Sequence, residues 1–178
     1  MKYISLLLVF CLTHEGPQKK IFTFSSETNL REWRIVNDGV MGGISSSTIR
    51  LTPEGHGEFS GQVSLAYNGG FASVQWDTAQ SLTPNQTHIV LRLKGDGKRY
   101  EFRLKGTRNQ PESYVQPFRT NGQWQEIRLP LNDFYPQFRG RMLAMPNFNF
   151  DRIAQISFLI ANKQEEDFTL LIDWIAVE

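Results

Sequence analysis

From Ile21 to Glu178 the chain is a succession of short apolar alternations separated by Gly, Pro and Asn clusters, with no sustained helical periodicity. Successive side chains of a strand point to opposite faces, so this pattern restricts the chain to many short strands. Ile89 to Lys94 puts Ile89, Leu91 and Leu93 on one face and Val90, Arg92 and Lys94 on the other. Gly95-Asp96-Gly97 then reverses the chain, and Tyr100 to Lys105 turns Tyr100, Phe102 and Leu104 inward and Glu101, Arg103 and Lys105 outward. These two runs are expected to pair as a hairpin with one polar face. Val63 to Tyr67, Ser113 to Phe118, Trp124 to Leu129, Ile156 to Ala161 and Phe168 to Val177 read as further strands, the last two apolar on both faces and therefore central. Pro130 ends one of them, and Thr28 to Trp33 and Leu131 to Phe134 suit single turns of helix. Many short strands in 178 residues imply an all-β fold, a two-sheet antiparallel β-sandwich or jelly roll.

Hydrophobic residues make up 40% of the chain and aromatics 12%, enough apolar bulk for one buried core. Nineteen Lys and Arg against 18 Asp and Glu give no global field that would hold the protein on nucleic acid. Cys11 is the only cysteine, so the part from Ile21 onward forms no disulfide and no cysteine-based zinc site.

Met1-Lys2 followed by the apolar run Tyr3 to Leu12 has the form of a secretory leader and is too short to span a bilayer as a helix. Phe10 stands where a lipoprotein signal has a small residue before Cys11, and the first arginine is Arg31, unlike an arginine-rich mitochondrial transit peptide. The expected organisation is a hydrophobic leader and connector over residues 1–20 and one domain over residues 21–178. The expected address is exported or periplasmic, or membrane-associated through the leader, with the cytoplasm as the alternative.

The segment Asn37-Asp38-Gly39-Val40-Met41-Gly42-Gly43-Ile44-Ser45 packs three glycines into five positions and must form a special loop. It lacks the following helix and the lysine of a phosphate-binding loop. The plain reading is that Asn37 and Asp38 bond the loop backbone while Val40 and Met41 pack inward. Asn37, Asp38, Met41, Gly42, Gly43 and Ser45 are binding candidates on this loop. A second candidate surface is the polar face with Arg92, Lys94, Glu101, Arg103 and Lys105, flanked by Ser73, Gln75, Tyr114 and Gln116. Arg92, Arg103 and Tyr114 are its binding candidates, since arginine beside aromatics suits protein hot spots and sugar stacking alike, and the competing reading is a solvated sheet face. Arg139-Gly140-Arg141 is a basic loop that clasps a partner or merely turns. Trp33, Trp76, Trp124 and Trp174 read as core. His14, His56 and His88 are scattered, and no serine sits in a nucleophile elbow. Asp38, Asp77, Asp96, Glu101 and Asp173 lie near strand ends, where carboxylates more often cap turns than catalyse.

Val36-Asn37-Asp38-Gly39-Val40-Met41-Gly42-Gly43-Ile44-Ser45 resembles the hallmark of the complex I intermediate-associated protein 30 family. Phe59-Ser60-Gly61, Gly69-Gly70-Phe71-Ala72-Ser73, Lys94 to Tyr100, Gln123-Trp124, Leu129 to Phe134, Phe138 to Arg141 and Ile172-Asp173-Trp174-Ile175 resemble later family motifs in the same order. The resemblance implies a galactose-binding-domain-like β-sandwich and a non-catalytic assembly-factor role with a protein client of the respiratory-complex kind. The alternative is a carbohydrate-binding module of an exported protein, and jelly-roll relatives of that kind hold a structural calcium through Asp and carbonyl oxygens. No other cofactor is expected.

Overall fold

The computed structural model describes residues 17–178; the apolar leader, Cys11 and His14 lie outside the described residues. Thirteen strands follow in chain order: β1 Lys19–Thr23, β2 Trp33–Ile35, β3 Ser46–Leu51, β4 Gly57–Val63, β5 Ala72–Ser81, β6 His88–Gly95, β7 Arg99–Lys105, β8 Ser113–Arg119, β9 Gln125–Pro130, β10 Tyr135–Phe138, β11 Arg141–Met142, β12 Arg152–Ile160 and β13 Glu166–Val177. They form two antiparallel sheets. The first runs β3-β4-β13-β6-β9, with β1 also paired to β13, and the second runs β11-β10-β8-β7-β12-β5-β2. Short 3-10 turns at Leu30–Glu32 and Leu131–Asp133 fall where the sequence suits single helical turns.

The core lies between the sheets and follows the alternation. Ile89, Leu91 and Leu93 face Tyr100, Phe102 and Leu104 across it, all fully buried, with Phe59, Phe134 and Phe158 among them. Burying each such side chain contributes about 1.5–3 kcal/mol. Phe102 and Phe158 meet edge to face at 5.0 Å, a geometry that places one ring's positive edge on the other's negative face.

Two expectations need correction. The runs Ile89 to Lys94 and Tyr100 to Lys105 do not pair: β6 lies between β13 and β9 in the first sheet, and β7 lies between β8 and β12 in the second. Gly95-Asp96-Gly97 is therefore a corner between sheets. Asp96 fixes it by accepting hydrogen bonds from the Tyr100 hydroxyl at 2.9 Å and the Thr169 N–H at 3.0 Å. Burial opposes its charge, but Lys98, Thr169 and Tyr100 outweigh that and hold the carboxyl below its ordinary range. Val63 to Tyr67 is not one strand either: β4 ends at Val63, and Tyr67 and Asn68 adopt positive φ of 55° and 61°.

A bulge interrupts β13. Ile172 pairs with Leu93 and Trp174 with Arg92, so Asp173 is an extra residue in the ladder. The inward set therefore changes parity from Phe168, Leu170 and Ile172 to Ile175 and Val177. Trp174 packs with Val90 and Ala176 on the outer side.

Candidate functional site

The glycine-rich loop after β2 and the loop after β4 are tied together by one carboxylate. Asp38 is 1% exposed and accepts from the Ser45 N–H at 2.9 Å, the Gly70 N–H at 2.7 Å, the Phe71 N–H at 3.2 Å and the Ser45 hydroxyl. Burial opposes its charge, but these donors outweigh it and hold the carboxyl below its ordinary range. Asn37 adds a second tie, accepting from the Ser47 hydroxyl at 2.8 Å and the Ser73 N–H at 3.3 Å. The glycines are required for two different reasons. Gly42 has φ of 93°, a left-handed conformation that costs other residues, and a Cβ on Gly43 would lie 2.5 Å from the Asp38 carboxyl.

With a polar group at its centre the loop has no interior for its own apolar side chains. Val40 and Met41 consequently do not pack inward: Val40 is 74% and Met41 59% exposed, and Ile44 is exposed beside them. Leu65 and Tyr67, the latter 72% exposed, project from the second loop. Five large apolar side chains thus share one end of the sandwich, more than a solvated loop requires. At the same end Gly97, Lys98, Arg99, Arg119, Asn162 and Lys163 line an open depression of about 510 Å³. Lys98 pairs with Asp96 at 2.8 Å and Arg99 with Glu101 at 3.8 Å, while Arg119 and Lys163 have no ion pair among the described residues.

The expected polar face is divided between the two outsides of the molecule. Arg92 and Lys94 belong to the first sheet; Glu101, Arg103 and Lys105 belong to the second, beside Ser73 and Gln75 as expected. One row across the second sheet reads Tyr135, Val115, Arg103, Ser157, Gln75 and Arg34. Charged groups on this sheet are bonded to one another. Arg103 donates to Glu101 at 2.6 Å and to Gln137 at 2.8 Å, and Arg34 grips Asp77 at 3.0 and 3.1 Å while Gln155 donates to the same carboxylate at 2.8 Å. Burial lowers the affinity of Lys105 for its proton, and its ammonium donates to the Gln110 carbonyl at 3.0 Å.

Tyr114 is not on this face. It pairs with Leu104 and turns into the core, its ring edge to face with Phe148 at 5.5 Å and Phe150 at 5.4 Å. Arg139 sits at the tip of the β10–β11 hairpin with φ of 48°, on the edge of the sheet opposite β2 and β5, and its guanidinium lies 5.3 Å over Phe138. Of the tryptophans, Trp33 is core, Trp76 packs against it, and Trp174 belongs to the outer cluster. Trp124 is a half-buried surface residue rather than core. Among the described residues no three His, Cys, Asp or Glu side chains gather as a metal site, so the calcium expectation finds no carboxylate cluster there.

A family model described as complex I intermediate-associated protein 30 matches residues 22–172. Similar curated proteins include the mitochondrial complex I intermediate-associated protein 30 of Drosophila melanogaster, 26% identical over 97% of this chain and 66% of the relative. The Mus musculus protein of the same name is 24% identical over 88% of this chain and 55% of the relative. The chain thus spans about half to two-thirds of the length of these relatives. Among solved structures, a family 11 carbohydrate-binding module of a Clostridium thermocellum cellulase aligns with a TM-score of 0.65 and 17% identity, covering 92% of this chain and 95% of that one. An agarase aligns with a TM-score of 0.59 and 14% identity, over 92% of this chain and 24% of the enzyme. At these identities the likeness concerns the fold, and it bears out the β-sandwich expected from the strand pattern. The mitochondrial names of the curated relatives overturn the expectation of an exported or periplasmic protein.

Proposed function

The chain belongs to the complex I intermediate-associated protein 30 family, and on that basis we propose that it is a non-catalytic protein-binding module of assembly-factor type. Its client is a subunit or intermediate of a respiratory complex I, by analogy with the names of its relatives. The observation that carries this reading is the apolar tip of Val40, Met41, Ile44, Leu65 and Tyr67, five exposed side chains at one end of the sandwich. A partner that covers them removes apolar surface from water, and each buried side chain adds about 1.5–3 kcal/mol to association before the costs of ordering. Asp38, Asn37, Ser45, Gly42 and Gly43 act as the frame that presents Met41 and its neighbours, so the hallmark motif supplies shape more than contact. Arg119 and Lys163 at the same end favour a client surface with acidic groups around an apolar centre.

The test is the double substitution Met41→Asp with Ile44→Asp. Both positions are exposed, so the thermal midpoint should stay where it is, while two carboxylates buried against an apolar client should weaken association by at least about thirtyfold. Co-migration of the variant with complex I intermediates on native gels, undiminished relative to the parent chain, would refute the reading.

A further inference from the structure

Two of the late sequence motifs, Gln123-Trp124 and Ile172-Asp173-Trp174-Ile175, meet on the outer face of the first sheet, where the tip plays no part. The bulge places Asp173 and Trp174 together opposite Arg92 on β6. His56, just before β4, brings its ring to 4.5 Å from the Trp124 ring, and the Arg92 guanidinium lies 5.7 Å from the same ring. The Asp173 carboxylate stands 4.0 Å from Arg92 and 3.8 Å from His56. These side chains are half-exposed: His56 26%, Arg92 36%, Asp173 31%.

Their side-chain hydrogen-bonding capacity is not used among the described residues. Neither separation from Asp173 is short enough for a hydrogen bond. Among the described residues the side chains of Arg92, His56, Trp124 and Asp173 make no hydrogen bond, and the Trp124 indole N–H is not sealed from solvent. Other charged pairs on the outer faces close fully: Arg50 with Glu58 to 2.8 Å on this same sheet, and Arg34 with Asp77 and Arg103 with Glu101 to 3.0 and 2.6 Å on the other. The outer face of the first sheet thus holds a cation, a carboxylate and an imidazole in contact range around one indole ring, with donors and an acceptor left over.

We propose that Trp124, Arg92, His56 and Asp173 form a binding platform for a neutral sugar ring of the pyranose kind. Other ligand classes fit these groups less well. An anion would face the Asp173 carboxylate and a cation the Arg92 guanidinium, while a plain hydrocarbon would cover polar groups without satisfying them. A pyranose offers a C–H face to the indole and neighbouring hydroxyls that each donate and accept. Those hydroxyls can donate to Asp173 and accept from Arg92 and the Trp124 N–H, and the bonds to the two charged groups are of the strong, charge-assisted kind. The platform is independent of the apolar tip, because His56 precedes β4 and the tip loop follows it, about 20 Å away along the strand.

Titration of the full chain with glucose, galactose, mannose and cellobiose, followed by the indole N–H resonances of the four tryptophans, tests this. The Trp124 resonance should shift and saturate with a dissociation constant on the order of 1 mM. Trp124→Ala should abolish saturable binding, and Asp173→Asn should weaken it at least about fivefold with little change in the thermal midpoint, since among the described residues its carboxylate makes no hydrogen bond and only long, solvent-screened ion pairs. Trp124→Phe, which keeps a stacking face, should retain weaker binding if the alanine variant misfolds. No saturable shift with any of the four sugars, a shift that survives Trp124→Ala, or an equal response to the open-chain polyol sorbitol would overturn the proposal.

Discussion

Replacing Asp38 with alanine takes away the acceptor for three backbone N–H groups, those of Ser45, Gly70 and Phe71. The Ser45 hydroxyl, also bonded to Asp38, lies 3.3 Å from the Ser64 carbonyl and can turn to it. The three N–H groups have no such alternative. A buried donor left unpaired costs about 1–3 kcal/mol, so three set an upper range of about 3–9 kcal/mol, and because the Gly70 and Phe71 N–H groups are only part-buried, entry of water brings the expected loss to about 3–6 kcal/mol. For a domain of this size that corresponds to a thermal midpoint lower by about 8–16 °C. Asp38→Asn keeps one oxygen but turns an amide N–H toward the same donors, and should fall about halfway. Urea unfolding of both variants measures this directly. A loss below about 1 kcal/mol for the alanine variant would refute the view that Asp38 holds the two loops together.

Gly42→Val should cost about 2 kcal/mol in urea unfolding, because a β-branched residue is forced to φ of 93° where nothing else obstructs it. Arg103→Ala should cost about 1–3 kcal/mol rather than being neutral, because the buried Glu101 loses its shortest partner; a midpoint unchanged by calorimetry would show that Arg99 suffices. Asp38 and Asp96 both bind protons less readily folded than unfolded, so their contribution is complete above the unfolded carboxylate value of about 4. It is lost as pH falls through the lower folded values. Stability followed through acid titration should decline below about pH 4, and the Asp38→Asn variant should show a shallower decline.

The faces of the strands are legible in the sequence and their partners are not. Alternation in Ile89 to Lys94 and in Tyr100 to Lys105 correctly finds the inward residues, because burial depends on each strand's own period. Pairing is a long-range property. A Gly-Asp-Gly turn serves a hairpin or a corner between sheets equally well, and only the distant β9, β12 and β13 decide between them. The same dependence on distant strands divides the expected polar face. The bulge at Asp173 is hidden for a related reason: apolar residues on both sides of Leu170 to Val177 mask the change of parity that would reveal it.

At the loop, the hydrogen-bonding roles of Asn37 and Asp38 follow from their chemistry, whereas the direction of Val40 and Met41 does not. An apolar side chain is expected to turn inward, but glycines on either side and a buried carboxylate leave no interior to turn into. The clustering of glycines around that apolar pair is the available signal. The apolar character of its strand points Trp124 to the core, yet the residue stands just before the strand's beginning, where the side chain reaches out across the sheet toward His56.

Whether a client covers the apolar tip can be measured by photo-crosslinking in the native host, with the reactive residue placed at Met41 and a control at Asp151 beside the far end of β5. Crosslinks to a complex I subunit are expected from position 41, lost when Ile44 is changed to Asp, and none from position 151. Crosslinks to that subunit from position 151 alone, or none from position 41 while the protein still accompanies complex I intermediates, would contradict the assignment of the tip as the client-binding surface.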